Sequence, residues 1–384
     1  MSPSRPGRGL STGLSLRHKS QMSSENLILL CAGGTGGHLF PAESLAVVLN
    51  ARGIVVDLAT DHRAAHFKFP ARKVHLIPSA TLRGRDPFSV AKTAALLTYG
   101  TWKAGRVLKR MRPAAVVGFG GYPTVPPMMA ATMKNIPTVL HEQNGVMGRA
   151  NRMLAARVTT IASGFRVLKH AESVQEKITF TGNPVRPAVL AAAATPYDAP
   201  QPGGTLKLLV FGGSQGARVM SEIVPKALEL LDAPLRARLS VVQQARPEDL
   251  DDVRATYARL GVKAECEPFF SDLPARLAAA HLVVSRSGAS TVAELAAIGR
   301  PAILVPLPHA LDQDQLANAG VLESAGGAIT IVQGDFTPER LAADLARLAA
   351  APGELTAMAA ASKSAGTLDA AERLADLVMK TAGI

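Results

Sequence analysis

Short apolar runs alternate along the chain with longer amphipathic stretches, the pattern of parallel strands covered by helices on both faces. Asn26–Ala32 reads as a strand, Gly33-Gly34-Thr35-Gly36-Gly37-His38 as a glycine-rich turn, and Ala42–Arg52 as a helix. Pro41 falls near that helix's first turn, where a missing N–H costs nothing. The second half restarts in the same way, with strand Leu206–Phe211, turn Gly212-Gly213-Ser214-Gln215-Gly216 and helix Ala217–Leu231. Two such openings half a chain apart predict an α/β fold of two doubly wound, Rossmann-like domains facing across a ligand cleft.

The predicted division is residues 25–185 and 186–365, with the boundary at Gly182-Asn183-Pro184-Val185-Arg186-Pro187 and a surface loop over Ala191–Gly204. Leu368, Leu374, Leu377 and Val378 recur at helical spacing within 366–384. A terminal helix of that kind must dock, and periodicity names no partner; a return onto the first domain is one arrangement. Residues 1–24 contain Arg5, Arg8, Arg17 and Lys19, no acidic residue and no apolar stretch of secretory type. A disordered basic extension is expected there, with a transit-like sequence as the alternative and Met22 as a candidate start.

Composition narrows the partners. Aromatics are only 4% against 47% apolar residues, so the cores must be built from Ala, Leu and Val. Cys31 and Cys266 cannot form a disulfide framework, and a reducing compartment fits them. The net charge of +12 is unevenly placed: residues 1–190 carry 25 Lys+Arg against 8 Asp+Glu, and residues 191–384 carry 17 against 22. Only the first domain is then expected to meet a large polyanion, whether nucleic acid, anionic membrane or phosphorylated lipid. The charge-free run Ala114–Met133 is broken by Gly118, Gly120, Gly121, Pro123, Pro126 and Pro127, too many breakers for a lipid-exposed helix. Asp86–Met111 reads instead as an interfacial helix. Phe88, Val90, Leu96, Leu97, Trp102, Val107 and Leu108 mix there with Lys92, Lys103, Arg106, Lys109 and Arg110. The alternative is a packed helix with a solvated basic face.

A glycine turn between strand and helix lets backbone approach a phosphate, whose charge the helix N-terminus stabilises. Neither turn fits Gly-x-Gly-x-x-Gly, because Leu39 takes the third glycine's place counting from Gly34, and neither ends in Lys-Ser/Thr. A dinucleotide dehydrogenase and a nucleoside-triphosphatase are disfavoured. His38 follows the first turn, and an imidazole there suits a general base near neutral pH; the alternatives are a helix cap or a phosphate contact. Arg186 has the fork to hold two phosphate oxygens, or is a surface residue beside a proline hinge. Glu294, after the small-residue turn Ser287-Gly288-Ala289-Ser290-Thr291, can accept ribose hydroxyls or compensate a helix dipole. Gln315 and Asn318 share one helical face, and their amides suit sugar hydroxyls. No His, Cys or carboxylate set has metal-ligand spacing, and no cofactor or metal is expected.

Seven motifs in order then define a resemblance from about residue 25 onward. They are Gly33–His38 with Phe40-Pro41-Ala42, Gly118-Phe119-Gly120-Gly121-Tyr122, His141-Glu142-Gln143-Asn144, Gly182-Asn183-Pro184-Val185-Arg186, Gly212–Ala217, Arg286-Ser287-Gly288-Ala289 running to Glu294, and His309…Asp314-Gln315…Asn318. Together they resemble the bacterial MurG family of UDP-N-acetylglucosamine:lipid-linked muramoyl-pentapeptide N-acetylglucosaminyltransferases. The resemblance implies the GT-B architecture and inverting transfer of N-acetylglucosamine, without a covalent intermediate, to the C4 hydroxyl of undecaprenyl-diphosphate-linked N-acetylmuramoyl-pentapeptide. That is the last cytoplasmic sugar transfer of peptidoglycan precursor assembly. The implied location is peripheral, on the cytoplasmic face of the inner membrane. The implied partners are UDP-N-acetylglucosamine, the lipid acceptor, an anionic membrane surface and other cell-wall synthesis proteins, with no nucleic acid.

Residue by residue, the resemblance places His38 on the acceptor side as base, with Gly34, Gly120, Gly121 and Tyr122 around it. Thr35, Gly36, Gly37 and Asn144 reach the donor from the first domain; Arg186, Ser214 and Gln215 meet its diphosphate. Phe269 and Phe270 fall at the uracil position; at most one of these neighbours can stack, and backbone near Phe270 is expected to read the base edge. The turn and helix start Ala289, Ser290, Thr291, Val292, Ala293 and Glu294 lie against the nucleoside, with Gln315 and Asn318 at the sugar. Phe88, Leu96, Leu97, Trp102, Lys103 and Arg106 are the expected membrane-facing residues. Asp314 stands where the family often has His or Gln, which bears on sugar selectivity. His141 and Glu142 are expected to support their loop. Three other readings share parts of the pattern: a glycosyltransferase acting on diacylglycerol or another lipid, a UDP-N-acetylglucosamine 2-epimerase, and a non-enzymatic nucleotide-sugar or nucleic-acid binder.

Overall fold

The computed structural model describes residues 26–33, 35–62, 68–80, 86–213, 216–308 and 313–384, without the side chains of 87, 88 and 90. The basic extension 1–24, Gly34, Arg83, Arg85, Ser214, Gln215, His309 and the Phe88 side chain lie outside the described residues.

Two wholly parallel sheets carry the chain. The first contains β1 (Leu27–Cys31), β2 (Val55–Thr60), β3 (Lys73–Leu76), β4 (Ala115–Gly118), β5 (Thr138–Glu142), β6 (Thr160–Ser163) and β7 (Ile178–Phe180), in the order β3-β2-β1-β4-β5-β6-β7. The second contains β8 (Leu206–Phe211), β9 (Leu239–Gln244), β10 (Lys263–Glu267), β11 (Leu282–Ser285), β12 (Ala302–Leu304) and β13 (Ala328–Thr330), in the order β10-β9-β8-β11-β12-β13. β1, β4 and β5 are buried at every position, as expected for strands covered on both faces. In each sheet the strand order reverses beside the first strand, between β1 and β4 and between β8 and β11. Those switch points open crevices at the carboxyl ends of the strands.

The first helix, Gly36–Ala51, begins directly at the glycine turn, several residues earlier than the apolar period alone suggests. It buries Leu39, Ala42, Leu45, Ala46 and Leu49 against the first sheet. The chain passes to the second sheet at 181–186 and returns at 365–369. The last helix, Ala370–Ala382, lies against Gly36–Ala51, and its Leu374, Ala375 and Val378 are fully buried in the first domain's core. Arg52 adds ion pairs to Glu372 and to Asp376, the latter at 2.6 Å. These are part-exposed, so burial rather than charge holds the helix.

The charge-free run Ala114–Met133 is divided among β4, a short 3-10 turn Tyr122–Thr124 and the helix Val125–Thr132. Among the described residues no helix is long and apolar enough to cross a membrane. The long basic helix spans Pro87–Met111, and the Asp86 carboxylate caps it by accepting the Ser89 N–H at 2.8 Å. Thr93, Gly100, Ala104 and Leu108 are buried along one face. Gly100 allows the close approach there, because a Cβ would stand 2.1 Å from the Pro78 carbonyl oxygen. The other face exposes Leu96, Tyr99, Trp102 and Arg106. Tyr99 and Trp102 stack at 5.9 Å, and the Arg106 guanidinium lies 5.0 Å from the Trp102 ring. Two residues expected on that outer face depart from it: Leu97 and Lys103 are half-buried. Leu97 falls about 40° from Thr93 at 100° per residue, on the packed side.

Leu374→Ala should cost about 2–5 kcal/mol of stability, read from urea unfolding of the first domain. A change under about 0.5 kcal/mol, the level of a surface site, would show that the helix is not part of that core.

Candidate active site

The loops after β1, β5, β8, β10, β11 and β12 meet in a cavity of about 650 Å3 between the two sheets. Three helices direct their N-termini into it: Gly36–Ala51, Arg218–Glu229 and Ala289–Ile298. None has a side-chain cap bond, and none has an acidic residue in its first turn. Open N–H groups and three positive helix ends therefore face one space, an arrangement suited to a polyanion. Gly212 is required by the second turn, since a Cβ there would meet the Ala217 nitrogen at 2.2 Å. Its N–H donates to Gln244 Oε1 at 3.1 Å, and Gln244 Nε2 donates to the Pro268 carbonyl at 3.1 Å, so one side chain ties that turn to the Phe269-Phe270 segment.

His38 stands at the first-domain side of the cavity. Its Nδ1 is 2.8 Å from the Thr35 hydroxyl, which fixes the ring's direction. The ring lies over Gly120 and Gly121, whose φ values are +81° and +73°. A Cβ on either glycine would come within 3.4 Å of the imidazole carbons. The two glycines thus supply both a left-handed turn and room for the ring. Tyr122 follows half-buried at the start of the 3-10 turn.

Arg186 and Glu294 form the charged centre. Arg186 Nη2 donates to Glu294 Oε1 at 3.2 Å, and the guanidinium lies 4.2 Å over the Phe40 ring, so it touches both domains. Burial pushes the Glu294 carboxyl up, opposed by the Arg186 charge. Glu43 is likewise raised by burial, again opposed by Arg186. Glu294 lies in the second turn of its helix, beyond the reach of the dipole term, so dipole compensation is not its role. Arg186 Nε and the Ser290 hydroxyl are buried without a protein partner.

The other expected donor residues divide. Gly36, Gly37, Asn144, Phe270, Ala289, Ser290, Thr291 and Gln315 line the cavity. Thr35 adjoins it through His38. Gln315 Oε1 accepts the Leu307 N–H at 3.1 Å. Phe270 is packed beneath the Arg276 guanidinium at 4.2 Å, while Phe269 stands 66% exposed. Val292 and Ala293 depart from the expectation, because their side chains turn to the other side of the helix and line a different cavity. Asn318 departs too: it is fully buried in the domain junction. Its Oδ1 accepts the Gly145 N–H at 2.9 Å, and its Nδ2 donates to Asn144 Oδ1 at 3.1 Å and to the Ser287 carbonyl at 3.2 Å. Both amide ends are thus occupied within the protein.

The loop that carries Asn144 is braced from below. Glu142 accepts the Asn144 and Gly148 N–H groups at 3.0 and 2.9 Å and the Asn151 amide at 2.7 Å. His141 takes the Gln143 amide at 3.0 Å on Nδ1, and burial lowers its pKa to about 4. These groups position the loop and do not face the cavity. Arg286 opens one of the seven motifs but received no site role from sequence, yet it lines the cavity, buried, with Nη1 donating to the Val305 and Pro306 carbonyls at 3.0 and 3.1 Å. Its place directly after a strand, in a Gly-containing turn, was the available signal. Among the described residues no group of three or more His, Cys, Asp or Glu is placed to hold a metal.

Two facing parallel sheets with this cleft define a GT-B glycosyltransferase fold, and comparison with known proteins agrees. Residues 28–163 match the glycosyltransferase family 28 N-terminal domain, and residues 207–374 match its C-terminal domain. A UDP-N-acetylglucosamine--N-acetylmuramyl-(pentapeptide) pyrophosphoryl-undecaprenol N-acetylglucosamine transferase of Rhodopseudomonas palustris is 61% identical over 94% of this chain and 100% of its own length. The crystal structure of Acinetobacter baumannii MurG superposes with a TM-score of 0.73 at 28% identity, covering 92% of this chain and 99% of that one. A UDP-GlcNAc 2-epimerase from Neisseria meningitidis, bound to UDP-GlcNAc, reaches a TM-score of 0.64 at 15% identity over 92% and 100% of the two chains, and shares the fold alone. The chain belongs to the MurG family of N-acetylglucosaminyltransferases within glycosyltransferase family 28.

The buried His141 stays neutral in the folded protein where an unfolded histidine would take a proton. The unfolded chain then binds more protons, and stability falls as pH drops from about 6.5 toward about 4. Urea unfolding at stepped pH should show this loss in the native protein and a shallower one in His141→Gln. Identical slopes would mean that the histidine is not buried neutral.

Proposed function

We propose that this protein transfers N-acetylglucosamine from UDP-N-acetylglucosamine to the C4 hydroxyl of an undecaprenyl-diphosphate-linked N-acetylmuramoyl-pentapeptide, at the cleft described above. The observation that carries the placement is the convergence of three uncapped helix N-termini with Arg186 at one cavity. Those groups suit the donor's diphosphate, and no step needs a resident cofactor. The family membership supplies the two substrates.

In this reading the acceptor oxygen attacks the anomeric carbon while His38 takes its proton. The bond from that carbon to the diphosphate oxygen breaks, and its electron pair leaves with UDP. A single displacement gives the β-linked product. Charge growing on the leaving diphosphate is stabilised by the helix N–H groups and by Arg186, which are in place before the reaction. His38 suits its task because Thr35 holds Nδ1 and so directs the other ring nitrogen. Glu294 receives the ribose, Gln315 the sugar, and the segment at Phe270 the uracil. The lipid acceptor stays in the bilayer, so the enzyme must come to it. The face bearing Leu96, Tyr99, Trp102 and Arg106 joins apolar and cationic groups as an interfacial helix does, and supports a peripheral site on the cytoplasmic side of the membrane.

Label from UDP-N-acetylglucosamine should appear in a disaccharide lipid in detergent, and not in diacylglycerol or from UDP-glucose. Label in diacylglycerol would move the protein to another lipid glycosyltransferase class, and epimerised donor without transfer would make it an isomerase. His38→Ala should lower turnover about 10²–10⁴-fold. An unchanged turnover with weakened acceptor binding would remove the base role. Glu294→Ala should raise the donor KM more than it lowers kcat; equal losses would argue against ribose binding.

A further inference from the structure

Behind the domain junction lies a second cavity of about 800 Å3, larger than the donor cleft and separated from it by one layer of side chains. Neighbouring residues of that layer face opposite ways. Asn144, Glu294 and Gln315 line the front, and Gly145, Ala293 and Leu316 line the back, with the buried Asn318 amide between them. Both chain crossings border the rear cavity through Asn183, Gly366 and Thr367. The crossings also touch each other, since a Cβ on Gly182 would stand 2.7 Å from Thr367.

The chemistry of the rear cavity is one-sided. Arg166, Lys169 and His170 line it, and among the described residues no Asp or Glu does; Glu172 of the same segment accepts the His170 N–H at 3.1 Å. The Arg166 guanidinium lies 4.6 Å over the Phe180 ring. Beside Arg166 and Lys169, Val167 is 74% exposed and Leu316 41% exposed, large apolar side chains left in water at the walls. Cationic and apolar groups together match a phosphate ester that carries an apolar body. The volume falls in the roughly 300–1,000 Å3 range of small-molecule sites.

We propose that this rear cavity is a regulatory site for a phosphate ester bearing an apolar group, and that its occupancy tightens nucleotide binding in the front cleft. The coupling rests on the front cleft being the uridine-nucleotide site. A ligand touching both walls of the rear cavity favours the arrangement in which Gly145 and Asn318 are joined. The front cleft is assembled from both domains in that same arrangement, so each ligand favours the state that binds the other, and the effect is reciprocal.

Calorimetry on the full chain decides it, with decyl phosphate as the probe. UDP should bind alone, and saturating decyl phosphate should tighten it about fivefold or more. Inorganic phosphate, lacking the apolar part, should leave it unchanged. Arg166→Ala with Lys169→Ala should abolish the tightening while UDP affinity without probe stays native. Gly320→Leu gives an independent block: Gly320 lines the rear cavity, and a Cβ there meets nothing within 4 Å, so the leucine side chain starts into open space. Tightening by phosphatidylglycerol vesicles as well would make a membrane lipid the source, whereas tightening by decyl phosphate alone would indicate a soluble ester. Native UDP binding that decyl phosphate does not change overturns the proposal, as does tightening that survives both variants. Failure of UDP itself to bind would instead refute the front-cleft reading; decyl phosphate titrated directly into the native protein and Gly320→Leu still decides the rear site.

Discussion

The Asn318 amide sets how the two domains face each other. A buried amide without partners costs roughly 2–7 kcal/mol, so it holds its place only where every neighbour matches. Here its oxygen takes the Gly145 N–H from the first domain, and its nitrogen serves Asn144 and the Ser287 carbonyl, one from each domain. An apolar contact would let the surfaces slide by an ångström. This pattern does not, because any shift leaves a donor or acceptor unpaired in a dry interface. The brace extends outward: Glu142 holds the Asn144 loop, and His141 with Gln143 holds the strand end beneath it. Loss of cleft geometry is therefore expected from changes that touch no substrate.

Within the cleft so fixed, charge is balanced before any ligand arrives. Arg186 neutralises Glu294, which burial would otherwise drive toward its protonated form, and covers Phe40. In the proposed function a diphosphate entering opposite the helix N-termini would compete with that carboxylate for the guanidinium. Ribose hydroxyls reaching Glu294 at the same moment would replace the hydrogen bond it gives up. One molecule carrying both groups would make both exchanges together, which a free phosphate cannot do. The buried Ser290 hydroxyl and Arg186 Nε, both without partners, lie where such a ligand would satisfy them.

Much of this was legible in the sequence where local rules decide. The two glycine turns, the strands that precede them and the capped Pro87–Met111 helix follow from periodicity and turn chemistry, and the motif order gave the family. The misreadings share one cause: sequence spacing gives a face but not what covers it. Gln315 and Asn318 lie three apart, yet that offset turns one into the cleft and the other into the junction. Val292 and Ala293 sit between Thr291 and Glu294 in sequence but on the far side of the helix. Leu97 adjoins the exposed Leu96 and faces the other way. The docking of Ala370–Ala382 onto a helix more than 300 residues earlier leaves no local trace beyond an apolar stripe. The rear cavity, drawn from six separated segments of chain, leaves none.

The same packing links the outer face of the basic helix to the chemistry. Helix Pro87–Met111 rests on helix Val125–Thr132, and the latter begins where the Gly118–Tyr122 turn ends. That turn lies under the His38 ring. Between the exposed Trp102 and the imidazole there are thus only two packed helices and one glycine turn, with no domain boundary to flex. Under the proposed function, a surface that seats Trp102 and Arg106 among lipid head groups would also set the height of His38 above the membrane. The mildly acidic second domain meets the first at the Asn318 junction, where helix Ala289–Ile298 approaches Gly36–Ala51, and at the two chain crossings. In that proposal orientation at the bilayer and closure on the nucleotide are separable, because the first would be fixed within one domain and the second would depend on the contact between two.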